Sequence, residues 1–114
     1  MNKFFNFLGL AKRSSNVIEG YSKCNEQRNR RDLFLFIITR EASDKSRSKF
    51  VKHCEFKNIP CIQDFSKEEI GSAIGREEIK ILAIADESMA KKLISLYEEE
   101  KASKLTGGDF IVKN

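Results

Sequence analysis

The run Leu33-Phe34-Leu35-Phe36-Ile37-Ile38-Thr39 leaves few folds open to this chain. It is continuously apolar and dense in aromatic and β-branched residues, without the alternation of a half-exposed strand. A strand of that kind needs cover on both faces, which points to a central position in a sheet with helices above and below. A second run, Ile79 to Ala85, has the same character. Helical patterns separate the two, and that alternation predicts a three-layer α/β/α sandwich around a mixed sheet of about four strands.

The remaining elements follow from periodicity and punctuation. Phe4, Phe5, Leu8 and Ala11 recur at helical spacing, so a helix is expected from a cap at Asn2 to Arg13. Ser14-Ser15-Asn16 reads as a turn and Val17-Ile18-Glu19 as a short extended piece. Gly20 opens a second, polar helix, Tyr21 to about Arg30. Ser43 caps a third that reaches about Lys57, with Phe50, Val51 and Cys54 inward. Ile59-Pro60-Cys61-Ile62 is a short strand whose proline fits a strand start or a sheet edge. Ser66-Lys67-Glu68-Glu69 is a capping box, in which the serine and the glutamate three residues on each satisfy a free backbone donor. Gly75 closes that helix in the C′ position. A last helix is expected from Glu87 to about Glu100. Residues 1–100 then form one domain and residues 101–114 a tail, in which Phe110-Ile111-Val112 is a possible edge strand.

With 114 residues, 40% of them hydrophobic and 33% charged, the chain can form one core with a well-solvated surface. No apolar run is long enough to cross a bilayer, so no membrane partner is expected. The N-terminal stretch makes a poor signal peptide: Asn6 and Gly9 interrupt it, and Lys12 and Arg13 stand where a cleavage region belongs. A cytoplasmic protein is expected. Cys24, Cys54 and Cys61 are odd in number and widely spaced, with a single histidine, His53. They read as reduced, mostly buried thiols, and neither a metal site nor a disulfide framework is expected.

Nucleotide-binding and hydrolytic signatures such as GxGxxG, GxxxxGK[ST], GxSxG and HExxH are absent, and no catalytic residue or cofactor is expected. His53 falls in a basic helix with no acidic partner on its face, and is read as a solvated surface residue. Charge is more informative. Residues 1–57 carry +7 and residues 58–114 carry −3, which suggests one face that meets a polyanion. Lys23, Arg30 and Arg31 flank the second helix, and Arg40 follows the central strand directly. Gly20 and Arg40 both come just after strands, so one end of the sheet can hold both. Cations there would neutralise phosphates, and a glycine lets a ligand approach the backbone. From charge alone, a plain solvated surface accounts for the same residues.

Phe7-Leu8-Gly9-Leu10-Ala11-Lys12-Arg13 followed by Val17-Ile18-Glu19-Gly20 resembles the opening of the short bacterial relatives of ribosomal protein L7Ae, the kink-turn RNA-binding superfamily. The resemblance continues through Leu33–Thr39 with Glu41-Ala42-Ser43 behind it, Cys54 to Pro60, Ile70 to Arg76, and Ala90 to Ile94. It covers about residues 2–98 in order. It implies an α/β/α sandwich that binds sharply bent RNA with the start of the second helix and a neighbouring loop. The family motif Gly-x-Asn-Glu-x-x-Lys falls on Gly20 to Glu26: the glycine is kept, while Ser22, Lys23 and Glu26 stand at the Asn, Glu and Lys positions. Ser22 is shorter than Asn, Lys23 donates where Glu accepts, and Glu26 repels phosphate where Lys attracts it. The resemblance implies an RNA-binding, ribosome-associated or ribosomal-protein-like protein. Gly20, Ser22, Lys23, Arg30, Arg40, Gly75 and Arg76 would lie at the RNA, which would be ribosomal or otherwise kink-turn-like. The altered motif leaves a second reading open, a protein-interaction module on the same fold that has lost RNA.

Overall fold

The computed structural model describes residues 1–108. Its elements run α1 (Asn2–Arg13), β1 (Val17–Glu19), α2 (Tyr21–Gln27), β2 (Leu35–Ile38), α3 (Asp44–Lys57), β3 (Cys61–Ile62), α4 (Lys67–Ala73), β4 (Ile81–Ile84) and α5 (Glu87–Gly108). The sheet order is β1-β4-β2-β3, with β2 and β3 parallel and β4 antiparallel to both of its neighbours. The two continuously apolar runs therefore take the two central positions, and every residue of β2 and β4 is buried. β3 is an edge strand. Pro60 precedes it, and its carbonyl accepts from the Phe36 N–H at 3.1 Å, a role that needs no proline N–H.

Alternate residues of the central strands feed two cores. Leu35, Ile37, Leu82 and Ile84 pack against Phe4 and Leu8 of α1, Ile70 of α4 and Leu93 of α5. Phe36, Ile38, Ile81 and Ala83 meet Cys24 of α2 and Phe50 and Cys54 of α3 on the opposite face. These are the three layers of the sandwich, with α1, α4 and α5 on one side and α2 and α3 on the other.

The expected caps form. Ser43 Oγ accepts from the Ser46 N–H, and Ser66 and Glu69 complete their capping box. Gly75 takes a positive φ of 78° just past α4. Other expectations need correction. Asn2 is the first residue of α1 and Met1 its cap. α2 stops at Gln27 and continues only as turns through Arg30. α5 does not end near Glu100 but runs to Gly108. Lys101, expected in the tail, joins the body through Asp64 at 2.9 Å. Phe110-Ile111-Val112 lies outside the described residues. Among the described residues, no helix is long and apolar enough to cross a membrane.

His53 is also corrected. It is buried, with 6% of its surface exposed, because its position on α3 turns the ring onto Phe36 at 5.8 Å. Its Nδ1 lies 3.3 Å from Arg28 Nη1. Arginine can only donate, so Nδ1 accepts and the ring is neutral, with its proton on Nε2. Burial pulls the His53 pKa below the ordinary 6.5, and Arg28 and Lys57 pull it further. The unfolded chain therefore binds the extra proton more readily than the folded one. This contribution to stability is complete above about pH 6.5 and is lost as pH falls toward the depressed folded value. Urea melts at pH 7.0 and 5.5 should show a lower midpoint at 5.5, and His53→Gln should shrink that difference. An unchanged difference in the variant would assign the acid sensitivity to other groups.

Candidate nucleic-acid interface

β1 and β2 both end, and β4 begins, at one end of the sheet: the Gly20 N–H donates to the Ile81 carbonyl at 2.8 Å, and the Thr39 N–H to the Lys80 carbonyl at 2.8 Å. Gly20 and Arg40 both follow strands that end here, β1 and β2, with β4 between them. Gly20 starts α2 at a φ of 88° with nothing within 4 Å of where a Cβ would stand, so the backbone there is open to an approaching ligand. Tyr21, Ser22 and Lys23 follow it and are exposed. No ion pair engages Lys23 among the described residues.

The loop between α4 and β4 reaches the same corner. Arg76 Nε donates to Glu19 Oε1 at 2.8 Å, and Lys12 of α1 pairs with the other carboxylate oxygen. Partial burial pushes the Glu19 carboxyl upward, but the hydrogen bonds from Arg76 and Lys12 prevail and hold it below the usual carboxylate range. Glu19 thus stays charged and fixes Arg76 beside Gly20. The loop is braced from behind as well: its Arg76 N–H donates to the Gly71 carbonyl at 2.8 Å, and Glu78 pairs with Lys67 at 2.8 Å.

Gly71 is what lets the loop lie there. A Cβ at that position would stand 2.5 Å from the Glu78 Cα, with backbone on all its near sides. Gly71→Ala should therefore displace the loop and destabilise the fold by about 1–3 kcal/mol, as overpacking against rigid backbone does. Thermal melts measure the loss, and a change under about 0.5 kcal/mol would mean the loop yields freely.

The remaining predicted residues are not all gathered here. Arg40 is exposed two strands away from β1, about 10 Å across the sheet. It turns toward β3, where its guanidinium donates to the Asp64 carbonyl. Arg30 lies three residues beyond the far end of α2. There it makes a loose pair with Glu26 at 3.9 Å. The structure thus brings together Gly20, Ser22, Lys23, Gly75 and Arg76, puts Arg40 at the margin and separates Arg30.

Two residues of this corner carry no sequence motif. Tyr21 is 40% exposed beside Gly20, and Lys49 of α3 donates to its hydroxyl at 2.9 Å while its ammonium lies 5.1 Å from the ring centre. In sequence Tyr21 shows only as the residue after the glycine, and Lys49 only as one of the basic residues Lys45, Arg47, Lys49 and Lys52 on the third helix; that α3 delivers Lys49 to the tyrosine is a matter of packing. Cys24 offers no comparable chemistry. Burial pushes the Cys24 thiol up to about 12, which makes it a poor nucleophile at neutral pH. No group of three or more His, Cys, Asp or Glu side chains able to hold a metal ion occurs among the described residues.

An α/β/α sandwich with an open glycine corner, an exposed tyrosine, and cations from α2, α3 and the α4–β4 loop defines a class: small α/β/α proteins built on a single mixed sheet. Residues 2–94 match the ribosomal protein L7Ae/L30e/S12e/Gadd45 family, and the chain belongs to that family. It is 29% identical over 96 residues to the RNA-binding protein YlxQ of Bacillus subtilis strain 168, an alignment covering 84% of this chain and 96% of that one. It is 31% identical over 97 residues to the RNA-binding protein YlxQ of Enterococcus faecium, covering 84% and 92%. Two solved structures share the fold. A protein of unknown function from Bacillus halodurans matches with a TM-score of 0.80 at 23% identity, over 86% of this chain and 99% of that one. The Giardia lamblia 15.5kD RNA-binding protein matches with a TM-score of 0.70 at 19% identity, over 83% and 84%.

Proposed function

We propose that this chain is an RNA-binding, ribosome-associated accessory protein of the cytoplasm, that it recognises structured, kink-turn-like RNA, and that it is not an enzyme. The observation that carries the reading is the Arg76–Glu19 contact. It joins the α4–β4 loop to the β1–α2 corner, so that one exposed surface presents Gly20, Ser22 and Lys23 beside a held guanidinium. Lys23 and Arg76 position phosphates, while Gly20 and Ser22 let the bent backbone come close. Arg40 serves at the margin. RNA-binding relatives that align over most of their length support the RNA-binding part of this reading.

Filter binding across a salt series tests it, with a kink-turn RNA and a plain duplex of equal length. The kink-turn RNA should bind more tightly, and Arg76→Ala should weaken it and reduce the salt slope by about one phosphate contact. Equal, weak binding of both RNAs would remove the specificity. No binding of either would leave the interaction-module reading in its place.

A further inference from the structure

At the opposite end of the sheet, where β2 and β3 begin, the ends of α2 and α3 and the start of α5 enclose a pocket of about 330 Å³. That volume lies at the small end of the roughly 300–1,000 Å³ typical of small-molecule sites. Its lining includes the apolar side chains of Phe34, Ile59 and Ile94 together with Arg28, Arg31, Lys57 and the buried His53. Glu87 also borders the pocket but pairs with Lys91 at 3.6 Å. No carboxylate makes an ion pair with Arg28, Arg31 or Lys57 among the described residues. His53 Nε2, which carries the ring proton, has no acceptor among them either.

A basic residue near the end of a helix compensates the negative end of its dipole, and that accounts for Lys57 at the end of α3. It does not account for Arg31, which lies beyond α2, or for a neutral histidine buried against an arginine. Of the carboxylates lining the pocket, Glu87 is taken by Lys91 and Asp32 makes no ion pair among the described residues, so Arg28, Arg31 and Lys57 are left to receive an added anion. Phe34, Ile59 and Ile94 add apolar surface on which a flat ring can lie. Asp32, also on the rim, is an acceptor suited to ribose hydroxyls.

We propose that this pocket is a second binding site, which takes a nucleoside monophosphate unit, either free or at the phosphorylated end of an RNA. Arg28, Arg31 and Lys57 hold the phosphate with the help of His53 Nε2–H, and the base lies along Phe34, Ile59 and Ile94. The site is independent of the surface around Gly20 and does not rest on it.

His53 is the sole histidine of the chain, so its ring protons give isolated NMR signals that report on the pocket. Adenosine monophosphate titrated into the full chain should shift them saturably. Adenosine alone and inorganic phosphate alone should each bind about tenfold more weakly or worse. The double variant Arg31→Gln with Lys57→Gln changes two exposed side chains, so the fold should persist, and it should weaken adenosine monophosphate about tenfold. A 5′-phosphorylated trinucleotide distinguishes the sources: tighter binding than the mononucleotide assigns the site to an RNA end, and weaker binding to a free nucleotide. Arg76→Ala should leave the titration unchanged, which separates this site from the RNA surface. The proposal is overturned if the signals do not shift, if the double variant binds as the parent does, or if phosphate alone binds as tightly as the nucleotide.

Discussion

Phe36→Ala should cost about 3–5 kcal/mol of folding stability, the range for truncating a buried phenylalanine. The side chain is fully buried in the middle of β2, stacked on Phe50 at 5.5 Å and met edge-on by His53. Alanine would leave a cavity bounded by α3 and by the sheet, in which β2 is held on both sides by its pairing to β4 and β3. Domains of this size are stable by only about 5–15 kcal/mol, so the loss takes a large share of the total. Urea melts would show it as a lower midpoint with an unchanged slope. A loss below about 1 kcal/mol would mean that this side chain is not the packing centre of the α2–α3 face.

Phe36 also shows what the sequence makes legible. A run with no polar alternation has no solvent face, so both its strand character and its central place can be read directly. Ser66 and Gly75 are legible for a related reason: a capping box and a C′ glycine act within a few residues, and local chemistry decides them. His53 is the converse case. Its neighbours in sequence, Lys52 and Cys54, say nothing of the ring of Phe36, which reaches it only when α3 docks on β2. The family resemblance puts Arg30 at the RNA as a basic residue flanking the second helix, but α2 ends at Gln27 and leaves Arg30 past its far end, away from the corner. Arg76 shows the reverse: it is 57 residues from Glu19 and bonded to it. The family resemblance could place its loop near the second helix, but only packing reveals the carboxylate that holds its guanidinium. The register of Gly71 against Glu78 is equally a product of the fold.

The altered motif at the start of α2 gives the most discriminating expected result. Ser22→Asn, Lys23→Glu and Glu26→Lys together should tighten binding to a kink-turn RNA by about tenfold or more, the scale of regaining one good base-reading contact. The three positions tolerate the change structurally, since all are exposed and none is held by a buried partner. Glu26 gives up only its loose pair with Arg30. Formal charge is preserved, because the charge lost at position 23 is regained at position 26. A plain duplex, which senses bulk charge, should therefore bind the variant and the parent alike, with parallel salt slopes. A gain confined to the kink-turn RNA would mean that the corner around Gly20 retains the geometry of RNA recognition and that Ser22 and Lys23 have weakened or redirected its base reading. Equal gains on both RNAs would trace the effect to the local position of charge. If neither the parent nor the variant binds either RNA, the corner is not an RNA surface, and its exposed tyrosine and unpaired lysine would instead suit a protein partner.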